Sequence, residues 1–474
     1  MYDKTLRYAL LSLTLVTVSA CHKQVLIENI SVPAGRVVLT ASPGQPGIRI
    51  PADFTGLSFE KNILPQSLYL NTGDTALIRM VKLLGPRGVI RIGGNSVENV
   101  FWTNRARNGS TDVDSMYTDD VIRFFDFIKA TGWKALYGLN LAQSTDTRCA
   151  EEASYALGSG GPSLEAFEIG NEPDLYASNG LKASTYSYLD FQADWLTYYT
   201  AIHTATNDDA TFAGPATADK MDWLLPFIAA EYKHLLLATH HYYRTGPASS
   251  PLVNIDSILT PDDRLVSDVT QAVAACRSVG IPFRMAECNS VYDGGKNGVS
   301  NTFASALWGL DYMYTLATLG AEGVNFHGGT GGYYSPILLT KSGPEPKPLF
   351  YGMLCFQLGC QGRLIPLTLS NPNGVQVTAY AVLADDGTVN ITVINKDAAN
   401  NANVVVHTGS TLNSATYTLL SAASLTATSG VTLGANAVKT DGTFTPPVFK
   451  TITHAGDSVR ISVPFSSAMV ISLK

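Results

Sequence analysis

The feature that most constrains the fold of this chain is an alternation, between residues 54 and 327, of short apolar runs with longer helical stretches. Eight such runs can be identified, at 54–60, 88–94, 133–140, 164–170, 210–215, 235–241, 283–289 and 321–327. Helical spacing is clearest at 119–129, where Thr118 is placed to cap the helix, and at 303–317. The alternation predicts a parallel sheet covered by helices, and eight units predict a closed (β/α)8 TIM barrel.

The texture of the sequence changes after residue 348. Runs at 375–382, 388–393, 403–407, 415–420 and 458–473 alternate apolar with polar residues and are separated by Asn, Gly, Asp and Ser clusters. This pattern predicts an antiparallel β-sandwich. Residues 23–40 are also strand-like, and we expect them to add an N-terminal strand to that sandwich. The predicted domains are therefore an N-terminal strand at 22–45, a barrel at 46–348 and a C-terminal β-sandwich at 349–474.

The amino terminus has the order of a secretory signal. Lys4 and Arg7 precede an apolar run at 8–18, and Ser19, Ala20 and Cys21 follow it. The order favours a bacterial lipoprotein signal over residues 1–21, with lipidation at Cys21; a plain secretory signal, cleaved at Ala20 or later, is the alternative. We therefore expect an exported protein that is held at a membrane, in the periplasm or at the cell surface, by a lipid anchor alone.

Charge and cysteine usage exclude several classes of protein. The chain has 32 Lys and Arg against 39 Asp and Glu, a net charge of −7, and it contains no basic block. This balance argues against nucleic acid and against a long polyanionic partner. The six cysteines are irregularly spaced, which does not fit a disulfide scaffold or a zinc site. We expect no metal.

Polar side chains follow most of the predicted barrel strands, at the end where active sites of this fold lie. Because a buried charge without a role is costly, so many ionisable groups at strand ends favour a functional site. These side chains are Ser58, Glu60, Arg91, Asn95, Asn140, Asn171, Glu172, His240, His241, Tyr242, Tyr243, Glu287 and His327.

Two of these carboxylates, Glu172 and Glu287, form the pattern that glycoside hydrolysis requires. One carboxyl group donates a proton to the leaving oxygen, and the other attacks the anomeric carbon or activates water. Pro173 is expected to hold Glu172 in an extended backbone; a helix N-terminal acid is the alternative interpretation of Glu172. We expect Glu287 to share a strand face with Phe283 and Met285.

The surroundings of Glu287 can also be anticipated. It is either paired with a neighbour such as Arg91 or poised as a nucleophile, and both can hold at once. Tyr242 or Tyr243 is placed to hold it through a phenolic hydrogen bond.

The motifs around these carboxylates resemble those of glycoside hydrolase family 79, which contains heparanases and β-glucuronidases. The resemblance extends over essentially the whole chain after the signal segment. It is carried by Gly-Asn-Glu-Pro at 170–173, His-His-Tyr-Tyr at 240–243, Ala-Glu at 286–287, Tyr-Asp-Gly-Gly at 292–295, Tyr-Gly-Leu-Asn at 137–140 and Gly-Pro-Glu-Pro-Lys-Pro at 343–348.

The resemblance implies a retaining mechanism with Glu172 as acid/base and Glu287 as nucleophile. It also implies that Tyr292, Gly294 and Tyr334 hold the carboxylate of a uronic acid, and that no cofactor is needed. Together with the strand-end placement it gives a set of predicted substrate-binding residues, namely Glu60, Arg91, Asn95, Asn140, Asn171, His240, Tyr242, Tyr243, Tyr292, Gly294, His327 and Tyr334.

The function expected from the sequence is that of a retaining exo-β-D-glucuronidase acting on terminal β-linked glucuronic acid in an oligosaccharide or glycoside. Two alternatives stay open. One is an endo-β-glucuronidase of the heparanase type with the same two carboxylates on an open cleft. The other is a surface sugar-binding lipoprotein that has kept the fold without catalysis.

Overall fold

The computed structural model of the protein describes residues 35–474. The predicted signal segment, the predicted lipidation site Cys21 and the first part of the predicted N-terminal strand lie outside these residues. The strands are β1 Val37–Ala41, β2 Thr55–Glu60, β3 Val89–Gly93, β4 Phe101–Trp102, β5 Ser115–Met116, β6 Lys134–Leu139, β7 Leu164–Ile169, β8 Phe212–Thr217, β9 Leu237–Thr245, β10 Phe283–Val291, β11 Gly323–Gly328, β12 Ile337–Thr340, β13 Gly343–Pro346, β14 Arg363–Ile365, β15 Leu367–Ser370, β16 Val377–Leu383, β17 Val389–Asn395, β18 Ala402–His407, β19 Ala415–Ser421, β20 Thr432–Leu433, β21 Lys450–Thr451, β22 His454–Ala455, β23 Ser458–Val463 and β24 Ser467–Leu473.

Helices connect most of the barrel strands. The α-helices are α1 Thr75–Leu83, α2 Thr118–Thr131, α3 Asp146–Gly160, α4 Tyr188–Ala205, α5 Met221–Glu231, α6 Ile255–Leu259, α7 Asp263–Val279, α8 Phe303–Leu319 and α9 Pro348–Gly359. Short 3₁₀ helices lie at Lys61–Ile63, Asn95–Asn99, Gly161–Ser163, Pro173–Leu175 and Tyr232–His234. No helix within residues 35–474 combines the length and the apolar character needed to cross a membrane.

Eight parallel strands close into a barrel in the order β10-β11-β2-β3-β6-β7-β8-β9. Each of the eight apolar runs identified in the sequence overlaps one of these strands, so the predicted (β/α)8 barrel is confirmed. The closure brings distant parts of the chain into register, with Ser58 of β2 beside Arg91 of β3 on one side and His327 of β11 on the other.

The barrel interior is layered. One layer is apolar and is formed by Val89, Leu136, Ala166, Ala213, Leu237 and Ala286. Because side chains alternate along a strand, the residues two positions further on also face inward. Arg91 and Glu168 occupy such positions, directly above Val89 and Ala166. The interior therefore changes from apolar to charged toward the C-terminal ends of the strands.

The start of α2 differs from the sequence prediction. The N-cap is Tyr117, with extended backbone, and Thr118 is the first helical residue. The backbone amide of Tyr117 donates to the Asp120 carboxylate at 3.1 Å, which satisfies one of the free amides at this helix end. Thr118 is therefore not the cap, because the acid three residues after Tyr117 fixes the helix start one residue earlier.

The second domain consists of two sheets with a shared apolar core. One sheet has the strand order β15-β1-β18-β23-β22, and the other has the order β14-β16-β17-β24-β19-β20 with β21 beside β19. Strand β1 pairs parallel with β18 and antiparallel with β15, which confirms that an N-terminal strand completes the sandwich. The single run expected at 458–473 is two strands, β23 and β24, that belong to different sheets. The chain turns between them at Ser466, whose φ is 46°.

Helix α9 links the two domains and was not anticipated from the sequence. It packs on the barrel, where the rings of Phe54 and Phe356 are 5.3 Å apart. The last barrel helix therefore lies after the predicted boundary at residue 348. A partly buried ion pair between Asp311 of α8 and Lys396, 2.8 Å long, also joins barrel and sandwich. Cysteines 149, 276, 288, 355 and 360 are all buried and free.

Candidate active site

A cavity with a volume of about 790 Å³ lies at the C-terminal ends of the barrel strands. The structure brings nine of the predicted site residues to its wall, namely Glu60, Asn95, Glu172, Tyr243, Glu287, Tyr292, Gly294, His327 and Tyr334. Arg91 and Asn171 lie directly beneath these residues and contact them. Asn140, His240 and Tyr242 do not reach the cavity.

Glu172 follows β7 and is the N-cap of the 3₁₀ helix Pro173–Leu175. Its backbone is left-handed, with φ 50° and ψ 53°, so the expected extended conformation is wrong. A following proline disfavours the right-handed helical region, but the left-handed region stays accessible to the residue before it. The amide of Glu172 donates to the carbonyl of Ala216 at 2.9 Å, and this bond fixes the turn.

A buried carboxylate supports the same turn from behind. Glu98 accepts hydrogen bonds from the amide of Asn171 at 3.0 Å and from the amide of Ala142 at 2.8 Å. The hydroxyl of Tyr176 donates to the same carboxylate at 2.5 Å. Glu98 therefore joins the backbone just before Glu172 to the loop that contains Ala142.

Glu287 reaches the cavity because β10 contains a bulge. The register of β10 shifts between Met285 and Glu287 on the β9 side and between Met285 and Cys288 on the β11 side. Phe283 and Met285 belong to the core between barrel and helices, whereas Ala286 belongs to the barrel interior. A bulge turns an extra residue toward one face, so Glu287 also points inward. The expectation that it shares a face with Phe283 and Met285 is wrong for this reason.

Arg91 organises the floor of the cavity. This side chain is fully buried, and its guanidinium donates to Glu168 at 2.5 Å, to Glu287 at 2.6 Å and to the side-chain oxygen of Asn171 at 2.9 Å. A planar guanidinium suits several acceptors at once. The expected pairing of Arg91 with Glu287 is therefore present, although Arg91 does not line the cavity itself.

Alternate residues of strand β9 contact the two carboxylates. The hydroxyl of Tyr243 donates to Glu287 Oε1 at 2.8 Å, and Nδ1 of His241 lies 3.0 Å from Glu172 Oε1. Tyr243 is thus the tyrosine that holds Glu287.

The intervening residues of β9 face away from the cavity. Tyr242 donates to Asp262 at 2.6 Å and stacks on Tyr312, with the ring centroids 5.4 Å apart. His240 lies 2.9 Å from the Thr217 hydroxyl, and burial lowers its pKa to about 3. The period of two along a strand separates His240 and Tyr242 from His241 and Tyr243, so neither lines the cavity, and their role in substrate binding stays a prediction.

The two carboxyl groups have pKa values that shift in opposite directions. Burial raises the pKa of Glu172, and the hydrogen bond and charge of His241 offset only part of this rise. Burial also acts to raise the pKa of Glu287, but the charges of His327, His241 and Arg91 and the hydrogen bond from Tyr243 outweigh it, so the pKa of Glu287 lies well below its ordinary value. Glu172 is therefore suited to carry a proton and Glu287 to stay ionised.

His327 and Glu60 lie beside Glu287 on the other wall. Nδ1 of His327 is 3.0 Å from the Ser58 hydroxyl and 3.6 Å from Glu287 Oε2, and its Nε2 is 3.4 Å from Glu60 Oε1. Burial acts to lower the pKa of His327, but the charges of Glu287 and Glu60 raise it overall. The raised pKa favours the protonated form of His327, which carries a positive charge beside Glu287.

The reacting groups are close together. One carboxylate oxygen of Glu172, one of Glu287 and one ring nitrogen of His241 all lie within 4.8 Å of one another. These are ligand types for a metal ion, but both oxygens of Glu287 accept hydrogen bonds, from Arg91 and from Tyr243. The guanidinium supplies the positive charge that a cation would supply. The donor set therefore does not favour a metal, and its absence stays a prediction.

The three residues expected to hold a uronic acid lie on two loops at one side of the cavity. Tyr334 is largely buried with its ring 6.1 Å from that of Tyr243, and Tyr292 is partly exposed. Gly294 has a φ of 86°, and its carbonyl oxygen lies 2.5 Å from where a Cβ on Gly332 would stand. The loops following β10 and β11 therefore approach too closely for a side chain at Gly332.

The remaining amide side chains contribute differently. Asn171 donates to Asn95 at 3.4 Å, and Asn95 is exposed to the cavity. Asn140 is buried; its side-chain oxygen accepts from the amide of Gln143 at 2.9 Å. Asn140 closes the loop after β6 and does not line the cavity, and its role in substrate binding stays a prediction.

Several residues of this site are not among those that the sequence predicts. His241 was noted only as part of the strand end, and Glu168, Asp219 and Arg264 were not selected. Glu168 binds Arg91, and both Asp219 and Arg264 line the cavity. The alternation along β9 would have selected His241 once Tyr243, rather than Tyr242, was taken to hold Glu287.

Comparison with known proteins finds similarity to enzymes that cleave glycosidic bonds. No protein-family model matches it. A β-glucuronidase of Aspergillus niger is 27% identical over 386 residues, which cover 72% of this chain and 69% of that protein. Heparanase of Mus musculus is 24% identical over 54% of this chain and 49% of its own length. The crystal structure of a 4-O-α-L-rhamnosyl-β-D-glucuronidase from Fusarium oxysporum superimposes with a TM-score of 0.74, covering 92% of this chain and all of that one at 19% identity.

Proposed function

We propose that this chain, a glycoside hydrolase similar to the β-glucuronidases and heparanases of family 79, is a retaining exo-β-D-glucuronidase. Its substrate is a glycan or glycoside that carries terminal β-linked glucuronic acid. The observation that carries this proposal is the pair Glu172 and Glu287, close in space and with pKa values shifted in opposite directions.

In the first step the ionised carboxylate of Glu287 attacks the anomeric carbon while Glu172 gives its proton to the leaving oxygen. The C–O bond to the leaving group breaks, and a glycosyl-enzyme ester forms on Glu287. In the second step Glu172, now ionised, takes a proton from water as the water attacks the same carbon and releases Glu287. Arg91 and Tyr243 hold the two oxygens of the free Glu287 carboxylate in place for the attack.

The separation of the carboxyl groups supports retention. Retaining glycosidases hold their carboxyl groups about 5–5.5 Å apart, whereas inverting enzymes need about 6.5–9.5 Å to admit a water. One oxygen of Glu172 lies within 4.8 Å of one oxygen of Glu287, which agrees with the shorter range. Direct attack by Glu287 therefore fits the cavity better than attack by an interposed water.

Recognition of the uronic acid is assigned to Tyr292, Gly294 and Tyr334. Phenolic hydroxyls and a backbone amide are neutral donors that can satisfy a carboxylate. Their loops follow β10 and β11, on the side of the cavity that also carries Glu60 and His327. The sugar ring then lies over Glu287 with its carboxylate toward this side.

The proposal is tested by product analysis on two substrates, a chromogenic β-glucuronide and a polymeric glucuronan. An exo-acting retaining enzyme releases single glucuronic acid residues from both, and NMR taken early in the reaction shows the β-anomer first. Release of oligosaccharides from the polymer supports endo action, and an initial α-anomer contradicts retention. Absence of turnover on both substrates contradicts the enzyme proposal.

We also propose that Cys21 carries a lipid anchor. The proposal rests on the order of residues 4–21 alone, which the described residues do not include. Expression in a bacterial host with labelled palmitate is expected to label the wild-type protein and not Cys21→Ser. Equal labelling of both would contradict the anchor.

A further inference from the structure

The cavity wall beside Glu172 differs in chemistry from the wall beside His327. In the closed barrel β7 lies across from β11, and β8 lies across from β2. Leu175 and Asn179 follow β7, Asp219 follows β8, and Arg264 at the start of α7 follows β9; all four line the cavity. Since the acid protonates the leaving oxygen, the leaving group must lie against this wall.

Arg264 is the one lysine or arginine that lines the cavity among residues 35–474, and it is already paired. Its Nη1 donates to Asp219 Oδ1 at 2.8 Å, and its Nη2 donates to the carbonyl of Tyr243 at 3.0 Å. The guanidinium also lies 5.1 Å from the ring centre of Tyr242. These hydrogen bonds therefore hold the guanidinium against the turn that carries Asp219 and against β9.

Asp219 is held in register with the acid. The carboxylate of Asp174, two residues after Glu172, accepts the amides of Ala218, Asp219 and Lys220 at 2.9, 3.2 and 3.2 Å. The turn that carries Asp219 and the turn that carries Glu172 are thus joined by three hydrogen bonds. The ion pair is therefore held at a defined position relative to Glu172.

We propose that the Asp219–Arg264 ion pair selects the leaving group, favouring an uncharged, hydroxyl-rich sugar over a sulfated or carboxylated one. The proposal rests on the proposed function, because it needs Glu172 to protonate that leaving group. Arg264 alone would attract an anion, but the carboxylate of Asp219 neutralises it and repels a second anion. The side chain of Asn179 on the same wall offers an amide donor and acceptor to hydroxyl groups.

The test compares two disaccharides, glucuronic acid β-linked to N-acetylglucosamine and the same compound with a sulfate on the N-acetylglucosamine. The measured quantity is the ratio of kcat/KM for the sulfated compound to kcat/KM for the neutral one. In Asp219→Asn we expect the ratio to rise about three- to tenfold at low salt, the range for one exposed charge a few ångströms away. The gain should shrink as salt is added, because both groups are exposed.

A matched control exists outside the cavity wall. Arg49 and Asp385 form an ion pair with side-chain exposures of 47% and 76%, close to the 46% and 71% of Arg264 and Asp219. Asp385→Asn should therefore leave the ratio unchanged. Arg264→Gln, which leaves the carboxylate of Asp219 unpaired, should lower the ratio, so the proposal has a second variant with the opposite sign.

An unchanged ratio in Asp219→Asn, or equal changes in Asp219→Asn and Asp385→Asn, would overturn the proposal. A rise in the ratio for Arg264→Gln would also overturn it. A chromogenic aryl glucuronide, assayed with each variant, separates this outcome from failure of the proposed function. If the wild-type protein cleaves the aryl glucuronide and the ratio does not respond, only the leaving-group proposal is refuted.

Discussion

Replacing Arg91 by methionine tests the electrostatic account of the cavity floor. Methionine fills a similar volume without charge, so Glu168 and Glu287 lose a partner at 2.5 and 2.6 Å. Removing one partner of a buried ion pair costs about 3–5 kcal/mol, because the remaining charge is left without compensation. All three side chains are largely or fully buried, so little of this loss is recovered from solvent.

The loss should depend on pH with a definite sign. In the wild-type protein the pKa of Glu287 is lowered on folding, so its ionised form contributes stability at neutral pH that is lost as the pH falls through the folded-state pKa. Without Arg91 that contribution is smaller, and protonation relieves the unpaired charge. The difference in stability between variant and wild type should therefore be largest near pH 7 and shrink as the pH falls toward the ordinary carboxyl range.

The assay is urea unfolding of both proteins at about pH 7.5, where an ordinary glutamate is ionised, and at about pH 4.5, close to the ordinary pKa of a glutamate. Glu168→Gln is the control, because Arg91 then still pairs with Glu287 and the loss should be smaller, about 1–3 kcal/mol. A stability difference for Arg91→Met that is the same at both pH values, or no larger than that of Glu168→Gln, would refute the reasoning.

Three further predictions concern activity. In Glu172→Ala we expect kcat/KM to fall about 10²–10⁴-fold for poor leaving groups but little for activated aryl glucuronides, with azide restoring the second step; equal losses would remove Glu172 from the acid role. Tyr334→Phe and Tyr292→Phe should each weaken binding of the glucuronide by about 1.5–3 kcal/mol and change activity on the matching glucoside little. Equal losses on both substrates would mean that the tyrosines only pack the loops. His241→Phe removes a hydrogen bond that lowers the pKa of Glu172, so the alkaline limb of the pH–rate profile should move to higher pH, and a shift to lower pH would contradict this assignment.

The barrel strands could be predicted because a strand that is buried on both faces has a continuous apolar run in its sequence. Helix α9 could not, for a related reason. Its residues are buried on nearly every side, so they lack the period that marks a half-buried helix. The turn at Ser466 was hidden because residues on both sides of it alternate in the same way.

The site was predicted at the level of residue types and strand ends, but not at the level of side-chain direction. The bulge that turns Glu287 inward adds one residue to β10, and nothing in an apolar run reveals it. The direction of β9 was ambiguous by one residue, so the predicted site contained His240 and Tyr242 beside Tyr243 and left out His241. Glu172 was placed correctly in the chain, but its left-handed backbone depends on the contact with Ala216, which comes from a different strand.

The most direct test of the central claim is to trap the covalent intermediate. A 2-fluoro glucuronyl reagent with a good leaving group slows the second step, so the glycosyl-enzyme accumulates and can be located by mass spectrometry of peptides. We expect one label, on Glu287, formed in the wild-type protein and absent from Glu287→Gln, which should also lack turnover. A label on any other carboxylate, or full turnover by Glu287→Gln, would contradict it.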